Sequence, residues 1–191
     1  MNHGKFIAKQ ERLAAKRIEQ VWPTTDLRIL ELGCGLGGIA RHIKAKQIIL
    51  SDVNPQRPDV VEIDAQNIGF LDNSFDLVIT SNMLEHVPDY REALREMVRV
   101  APRLYLSWTP WLSPFGGHDV APWHWFGKLP VDNPLGKHLF RTYVGGVLQE
   151  LEYLGMKYTA RPRYWPWLKH LAEWPITQEW ATWNVEVIAK R

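Results

Sequence analysis

Residues 29–38 read ILELGCGLGG, a short apolar strand carrying an acid and then four glycines in six residues, and this stretch decides the fold. Ile29, Leu30 and Leu32 flank Glu31 in a β-compatible run. Gly33, Gly35, Gly37 and Gly38 let the backbone turn sharply and approach a ligand closely, because no Cβ stands in the way. IARHIKA, residues 39–45, continues the pattern and predicts a helix from about Gly37 to Ala45, its N-terminal amides facing whatever the turn binds.

Working outward, QIILSD (47–52) reads as a second buried strand ending in Asp52, and VVEID (60–64) as a third. Only residues 53–59 lie between them, Pro55 and Pro58 included, so a helix-poor connection is expected there. SFDLVITSN gives a strand from Phe75 to about Ser81 with the continuous apolar character of burial on both faces. Asp89 opens a helix with Glu92 three residues on, a capping-box pattern, and Tyr90, Ala93, Leu94, Met97 and Val98 share one face. Pro102 ends it, LYLSW is the fifth strand, and RTYVGGVLQELEYLG is a helix with Gly155 as its C-cap. Residues 156–164 and 182–190 read as two more strands. Upstream, residues 5–22 place Phe6, Ile7, Leu13, Ile18, Val21 and Trp22 among charged residues, an amphipathic helix stopped by Pro23 that packs on the sheet edge or covers the ligand. The element order predicts one α/β domain over 1–191: a doubly wound, mostly parallel seven-stranded sheet with a C-terminal antiparallel hairpin.

The 191 residues are 46% hydrophobic and 23% charged with a net charge of +2, ordinary for a globular domain and too weakly basic to point to nucleic acid. The lone Cys34 excludes an internal disulfide and a CxxC zinc site, and reads as a small residue in a glycine turn. The opening MNHGKFIAKQ lacks an apolar signal core and no run approaches a membrane span, so a reducing cytoplasm is expected. Of ten Trp, nine lie between Trp108 and Trp183. They load a Pro- and Gly-rich excursion at about 109–138, read as a lid or substrate insertion, and a second insertion at about 165–181. Trp22, Trp108 and Trp183 are expected in the core; Trp111, Trp123, Trp125, Trp165 and Trp167 are expected near a pocket or an interface.

The glycines satisfy two templates, since Gly33, Gly35 and Gly38 fit the dinucleotide GxGxxG while Gly33, Gly35 and Gly37 fit the GxGxG of S-adenosylmethionine (SAM) enzymes. LELGCGLG with Glu31 two residues before the first glycine, SDVNP, DAQNIGFLDNSFDLV and SNMLEHVPD together resemble the class I SAM-dependent methyltransferases of the small-molecule group, by motif over roughly residues 26–108. The resemblance implies SAM as cofactor and a cofactor-binding set of Glu31, Gly33, Gly35, Gly37, Asp52, Val53, Asp64, Ala65, Ser81, Asn82 and His86. In that set Asp52 takes the ribose hydroxyls, Asp64 the adenine amine, Glu31 the methionine ammonium, and Ser81 and Asn82 flank the methionine end and the methyl. Asp64 has a second reading as the cap of its own turn, and Glu85 and His86 as caps or solvated residues at the start of a helix. An NAD-dependent oxidoreductase is the less favoured alternative, because Tyr153 and Lys157, the one Tyr-Lys pair at helical spacing, is interrupted by Gly155.

In-line methyl transfer asks chiefly for alignment in a dry pocket, and a hydroxyl acceptor adds the need for a base. His118 is the candidate, with Asp119 or His124 assisting, and the same three have a plain reading as loop hydrogen bonders; no metal site is expected from them. The Trp content points to a small aromatic, quinone-like or sugar acceptor, with O-methylation favoured. A non-catalytic SAM-binding or protein-interaction module is the second reading, and the Trp-rich loops offer a homodimer contact.

Overall fold

A computed structural model describes the chain except residues 1, 2, 117–120, 122, 127–138, 165–169 and 171–177. Its elements in chain order are α1 (His3–Val21), β1 (Arg28–Leu32), β2 (Gln47–Asp52), β3 (Val61–Glu62), β4 (Leu77–Ser81), α2 (Tyr90–Val100), β5 (Arg103–Trp108), α3 (Val144–Tyr153), β6 (Lys157–Tyr164), α4 (Gln178–Ala181) and β7 (Thr182–Lys190). One seven-stranded sheet runs β3-β2-β1-β4-β5-β7-β6, parallel from β3 to β5 and antiparallel where β7 pairs with β5 and β6.

The alternation of side chains along the strands builds two cores. Ile29, Leu77, Ile79 and Tyr105 face Ala14, Ala15, Ile18 and Trp22 of α1 and its C-terminal edge. Leu30, Leu32, Val78, Leu104, Leu106 and Val187 face Ala93, Leu94 and Met97 of α2 and Val144, Val147 and Leu151 of α3. The sheet is therefore covered on both faces, and its parallel strands direct their C-terminal ends to one rim.

The helix expected from Gly37 to Ala45 is absent; a single 3-10 turn, Ala40–His42, stands there, followed by Ile43 in extended conformation. The reason is length. Strand β1 rises ~16 Å, and the eight residues 39–46 as a helix would return only ~12 Å, so part of the chain extends to reach the start of β2. The connection over 53–60 is helix-free as expected, and VVEID pairs only through Val61 and Glu62. The buried stripe of α1 runs through Ala14, Ala15 and Ile18 to Trp22 just beyond it, while Ile7, Leu13 and Val21 lie exposed. Asp89 caps α2 by accepting the Arg91 and Glu92 N–H groups, yet its own N–H donates to Gln66 Oε1 rather than to Glu92. Trp22 and Trp108 are buried, whereas Trp183 is half-buried with the Arg163 guanidinium 5.9 Å from its ring.

Candidate functional site

The glycine turn is assembled by hydrogen bonds to the ends of β1 and β2. Cys34 N–H donates to Ser51 O at 2.9 Å, and Gly35 N–H to Asp52 Oδ2 at 2.9 Å. Asp52 Oδ1 accepts the Asn54 N–H at 3.0 Å, so each carboxylate oxygen holds one amide and retains a lone pair for a ribose hydroxyl. Glu31, buried on the α1 face, accepts Ile39 N–H at 2.8 Å and Ala40 N–H at 2.7 Å, one on each oxygen. It thereby satisfies the leading amides of the 3-10 turn, in the manner of an N-cap. Burial pushes its carboxyl up to about 7 against the pull of those two amides, and the Glu11 charge adds to the rise.

Two sequence positions are forced by geometry. Gly33 has φ +70°, and a Cβ there would collide with the Met83 side chain from the loop after β4. Gly37 leaves the space into which the Glu11 carboxylate of α1 fits. Above Gly35, by contrast, a Cβ would meet nothing within 4 Å, and its neighbours Leu36 and Val53 are 71% and 65% exposed. Open space over the loop, a half-buried Asp52 and exposed aliphatic side chains beside it fit an adenosyl cofactor. Cys34 is buried, and its thiol is pushed up to about 11, by burial first and then by Glu31 and Asp52, which suits a packing residue and not a nucleophile.

Asp64 follows β3, whose neighbour Ile63 donates its N–H to Asp52 O at 3.1 Å, so the two acids border the same rim. Asp64 is exposed, and its Oδ1 accepts the Gln66 N–H at 2.8 Å, capping the turn that Ala65 begins; Ala65 is buried. At the end of β4, Ser81 Oγ lies 2.9 Å from Ser107 Oγ of β5. Asn82 is held at φ +51° by donating its N–H to Ser107 O at 2.7 Å and accepting from Asn184 Nδ2 at 3.0 Å. Asn is among the non-glycine residues that take this left-handed region most readily, and the ends of β4, β5 and β7 hold it there. His86 is half-buried in the 3-10 turn Leu84–His86 and donates its N–H to Met83 O.

Glu85 is a residue whose weight the sequence did not reveal. It neither caps α2 nor faces solvent: it is buried, its Oε1 accepts the Thr109 N–H at 3.2 Å, and its Oε2 has no hydrogen-bond partner among the described residues. Burial pushes its carboxyl up to about 7. The turn 84–86 holds both feet of the Trp-rich excursion: Glu85 Oε1 takes the Thr109 N–H at its start, and Glu85 O and Leu84 O accept the Phe140 N–H and the Thr142 hydroxyl at its end. A buried acid in an otherwise polar-looking LEH string carries no sequence signal beyond its type.

Among the proposed base residues, His118 and Asp119 lie outside the described residues, as do Trp165 and Trp167. His124 is buried in the 3-10 turn Trp123–Phe126, its Nε2 3.0 Å from Trp111 O and its ring edge-on to the buried Trp111. Trp123 and Phe126 are exposed, and Trp125 stacks obliquely on Trp180 at 5.1 Å. Among the described residues no three His, Cys, Asp or Glu side chains form a metal-binding group, and no helix is long and apolar enough to cross a membrane.

Residues 30–103 match the family model described as a methyltransferase domain. An uncharacterized methyltransferase of Mycobacterium avium (strain 104) is 31% identical over 144 residues, 67% of this chain and 57% of that protein. One from Mycobacterium leprae (strain TN) is 28% identical over 152 residues, 71% of this chain and 56% of that protein. The chain thus spans little more than half the length of these relatives. In fold it is similar to a SAM-dependent methyltransferase of Thermotoga maritima described as a possible histamine N-methyltransferase, with TM-score 0.63 and 16% identity over 97% of this chain and 96% of that one. A SAM-dependent methyltransferase of Mesorhizobium loti gives TM-score 0.63 and 17% identity over 92% and 96%. Residues 30–103 thus match a methyltransferase domain, and the fold they belong to is similar to that of solved SAM-dependent methyltransferases.

Proposed function

We propose that this chain transfers a methyl group from SAM to a small acceptor with a flat or apolar ring, with oxygen as the favoured methyl-accepting atom. The observation that carries the reading is the adjacency of two rims. Ser81 and Asn82, at the cofactor side, are bonded to Ser107, and two residues later Thr109 begins the Trp-rich segment anchored on Glu85. An acceptor lying between them would meet the methionine end of the cofactor on one side and aromatic rings on the other.

SAM supplies an electrophilic methyl on a sulfonium sulfur. The chain's part is to hold Gly35, Asp52, Val53, Asp64 and Ala65 against the adenosyl end, to keep Glu31 and the Ser81–Asn82 rim at the methionine end, and to exclude water with the 109–138 and 165–181 segments. His118 takes the proton of a hydroxyl acceptor, with Asp119 or His124 in support. A panel of phenols, hydroquinones and sugars incubated with methyl-labelled SAM tests this reading. Label transfer to one class, lost by at least ~10²-fold in His118→Ala, is the expected result. Binding of SAM with no transfer to any acceptor would favour a non-catalytic module instead.

A second role for the same aromatic segment is contact between copies of the chain, supported by the exposure of Trp123 at 59% and Phe126 at 79%. Sedimentation of the purified protein tests it, a monomer at all concentrations being the adverse result. A cytoplasmic setting suits a chain with one thiol, buried and unpaired.

A further inference from the structure

Six amides of the cofactor loop have identified acceptors. Cys34, Gly35 and Gly37 donate to Ser51 O, Asp52 and Cys34 O, and Ile39 and Ala40 donate to Glu31, all within β1, β2 and the loop itself. The sixth, Gly38 N–H, donates to Glu11 Oε1 of α1 at 3.1 Å. The same carboxylate fills the space over Gly37, and its Oε2 lies 3.6 Å from His42 Nε2. One loop amide is therefore held by a side chain from a separate element, and that element is anchored unevenly. Among the described side chains, the buried apolar residues of α1 and its edge, Ala14, Ala15, Ile18 and Trp22, all lie after Glu11. Before it, Lys5, Ile7 and Lys9 are exposed, and among the described side chains polar contacts to the rest of the fold come from Glu11 and from Gln10, whose Oε1 accepts from Arg163 at 3.0 Å.

We propose that the N-terminal half of α1 is a flap over the cofactor loop, latched by Glu11, whose carboxylate occupies the Gly38 amide in place of the cofactor's own amino-acid carboxylate. SAM enters by displacing it. A hydrogen-bonded carboxylate can be exchanged for another carboxylate at little net cost, whereas the buried apolar half of α1 stays seated and acts as the hinge. Charge favours the exchange. Glu11 sits close enough to Glu31 to disfavour its ionised form, and the zwitterionic end of a methionine replaces a bare negative charge there by a neutral pair.

The inference rests on SAM as the cofactor, which titration of the unaltered protein checks separately. Calorimetric affinities of the unaltered protein, Glu11→Gln and Glu11→Ala are measured for SAM, for its demethylated product S-adenosylhomocysteine, and for methylthioadenosine, which lacks the amino-acid end. Glu11→Ala is expected to tighten SAM and the product by about three- to tenfold and to leave methylthioadenosine unchanged, with the isosteric Glu11→Gln between. In the unaltered protein, SAM is expected to speed hydrogen exchange of the amides in residues 5–11. Weaker binding of SAM by Glu11→Ala, an equal change for all three ligands or none, or slower exchange in residues 5–11 on adding SAM would overturn the proposal.

Discussion

Glu31 and Ala40 are joined by a 2.7 Å hydrogen bond across the glycine loop, carboxylate to main-chain amide, and with the Ile39 amide this closes the loop onto the end of β1. The acid that identifies the cofactor loop in sequence thus has a structural task of its own. Glu31→Ala leaves two buried amides without acceptors, and each costs about 1–3 kcal/mol. Urea unfolding is expected to show a loss of at least about 2 kcal/mol; a midpoint equal to that of the unaltered protein would remove Glu31 from this role.

Gly33 and Gly35 separate stability from binding. A side chain at Gly33 meets both a left-handed backbone and Met83, so Gly33→Ala is expected to lower the melting temperature by several degrees, with Met83→Ala restoring part of the loss in the double variant. A methyl at Gly35 meets open space and costs only the backbone strain of about 1–2 kcal/mol, but it enters the space assigned to the cofactor under the proposed function. Gly35→Ala is therefore expected to lose SAM affinity out of proportion to its stability. Equal losses of both properties in the two variants would contradict this division.

Glu31 and Glu85 give the fold a pH dependence of definite sign. Both carboxyls are raised to about 7 in the folded protein, from an ordinary value of 4.5. The folded state then holds more protons than the unfolded one between those values, so their contribution to stability is complete below 4.5 and is lost as pH rises to about 7. The slope is about 1.4 kcal/mol per pH unit for each fully shifted carboxyl. Glu85→Gln, which keeps an acceptor for the Thr109 amide and carries no charge, is expected to flatten the decline measured by urea unfolding across that interval. A steeper decline in the variant would show that the Glu85 charge is stabilised rather than opposed.

The core beneath the rim is expected to respond as a packed interior does. Leu94 of α2 is fully buried against β4, β5 and α3 residues, and Leu94→Ala should cost about 2–5 kcal/mol, read by the same unfolding assay. A loss below 1 kcal/mol, on the order of an exposed site, would mean that α2 is not seated as described.

Much of this architecture was legible in residue order. Continuous apolar runs marked β1, β2, β4 and β5, and Asp89 and Gly155 marked the ends of α2 and α3, because burial and capping are local requirements. IARHIKA has the apolar spacing of a helix, but the chain must extend from Ile43 to reach Gln47, a requirement set by the distance between β1 and β2 and not by the segment itself. At the proposed site, the acids and glycines stand out by type and spacing, and the hydrogen bonds of Glu31 and Asp52 to the glycine loop place them beside it. Glu85 does not stand out, since its burial depends on Thr109 and Phe140 arriving from far along the chain, and neither does the Glu11–Gly38 contact, which joins residues 27 positions apart.

Titration of SAM into the unaltered protein and into Asp52→Ala tests the central claim, that the loop and the acid at the end of β2 form the adenosyl site. Saturable one-to-one binding is expected for the unaltered protein and an affinity at least about tenfold weaker for Asp52→Ala, from the loss of charge-assisted hydrogen bonds to the ribose. Absence of SAM binding, or equal affinity in the two proteins, would contradict it.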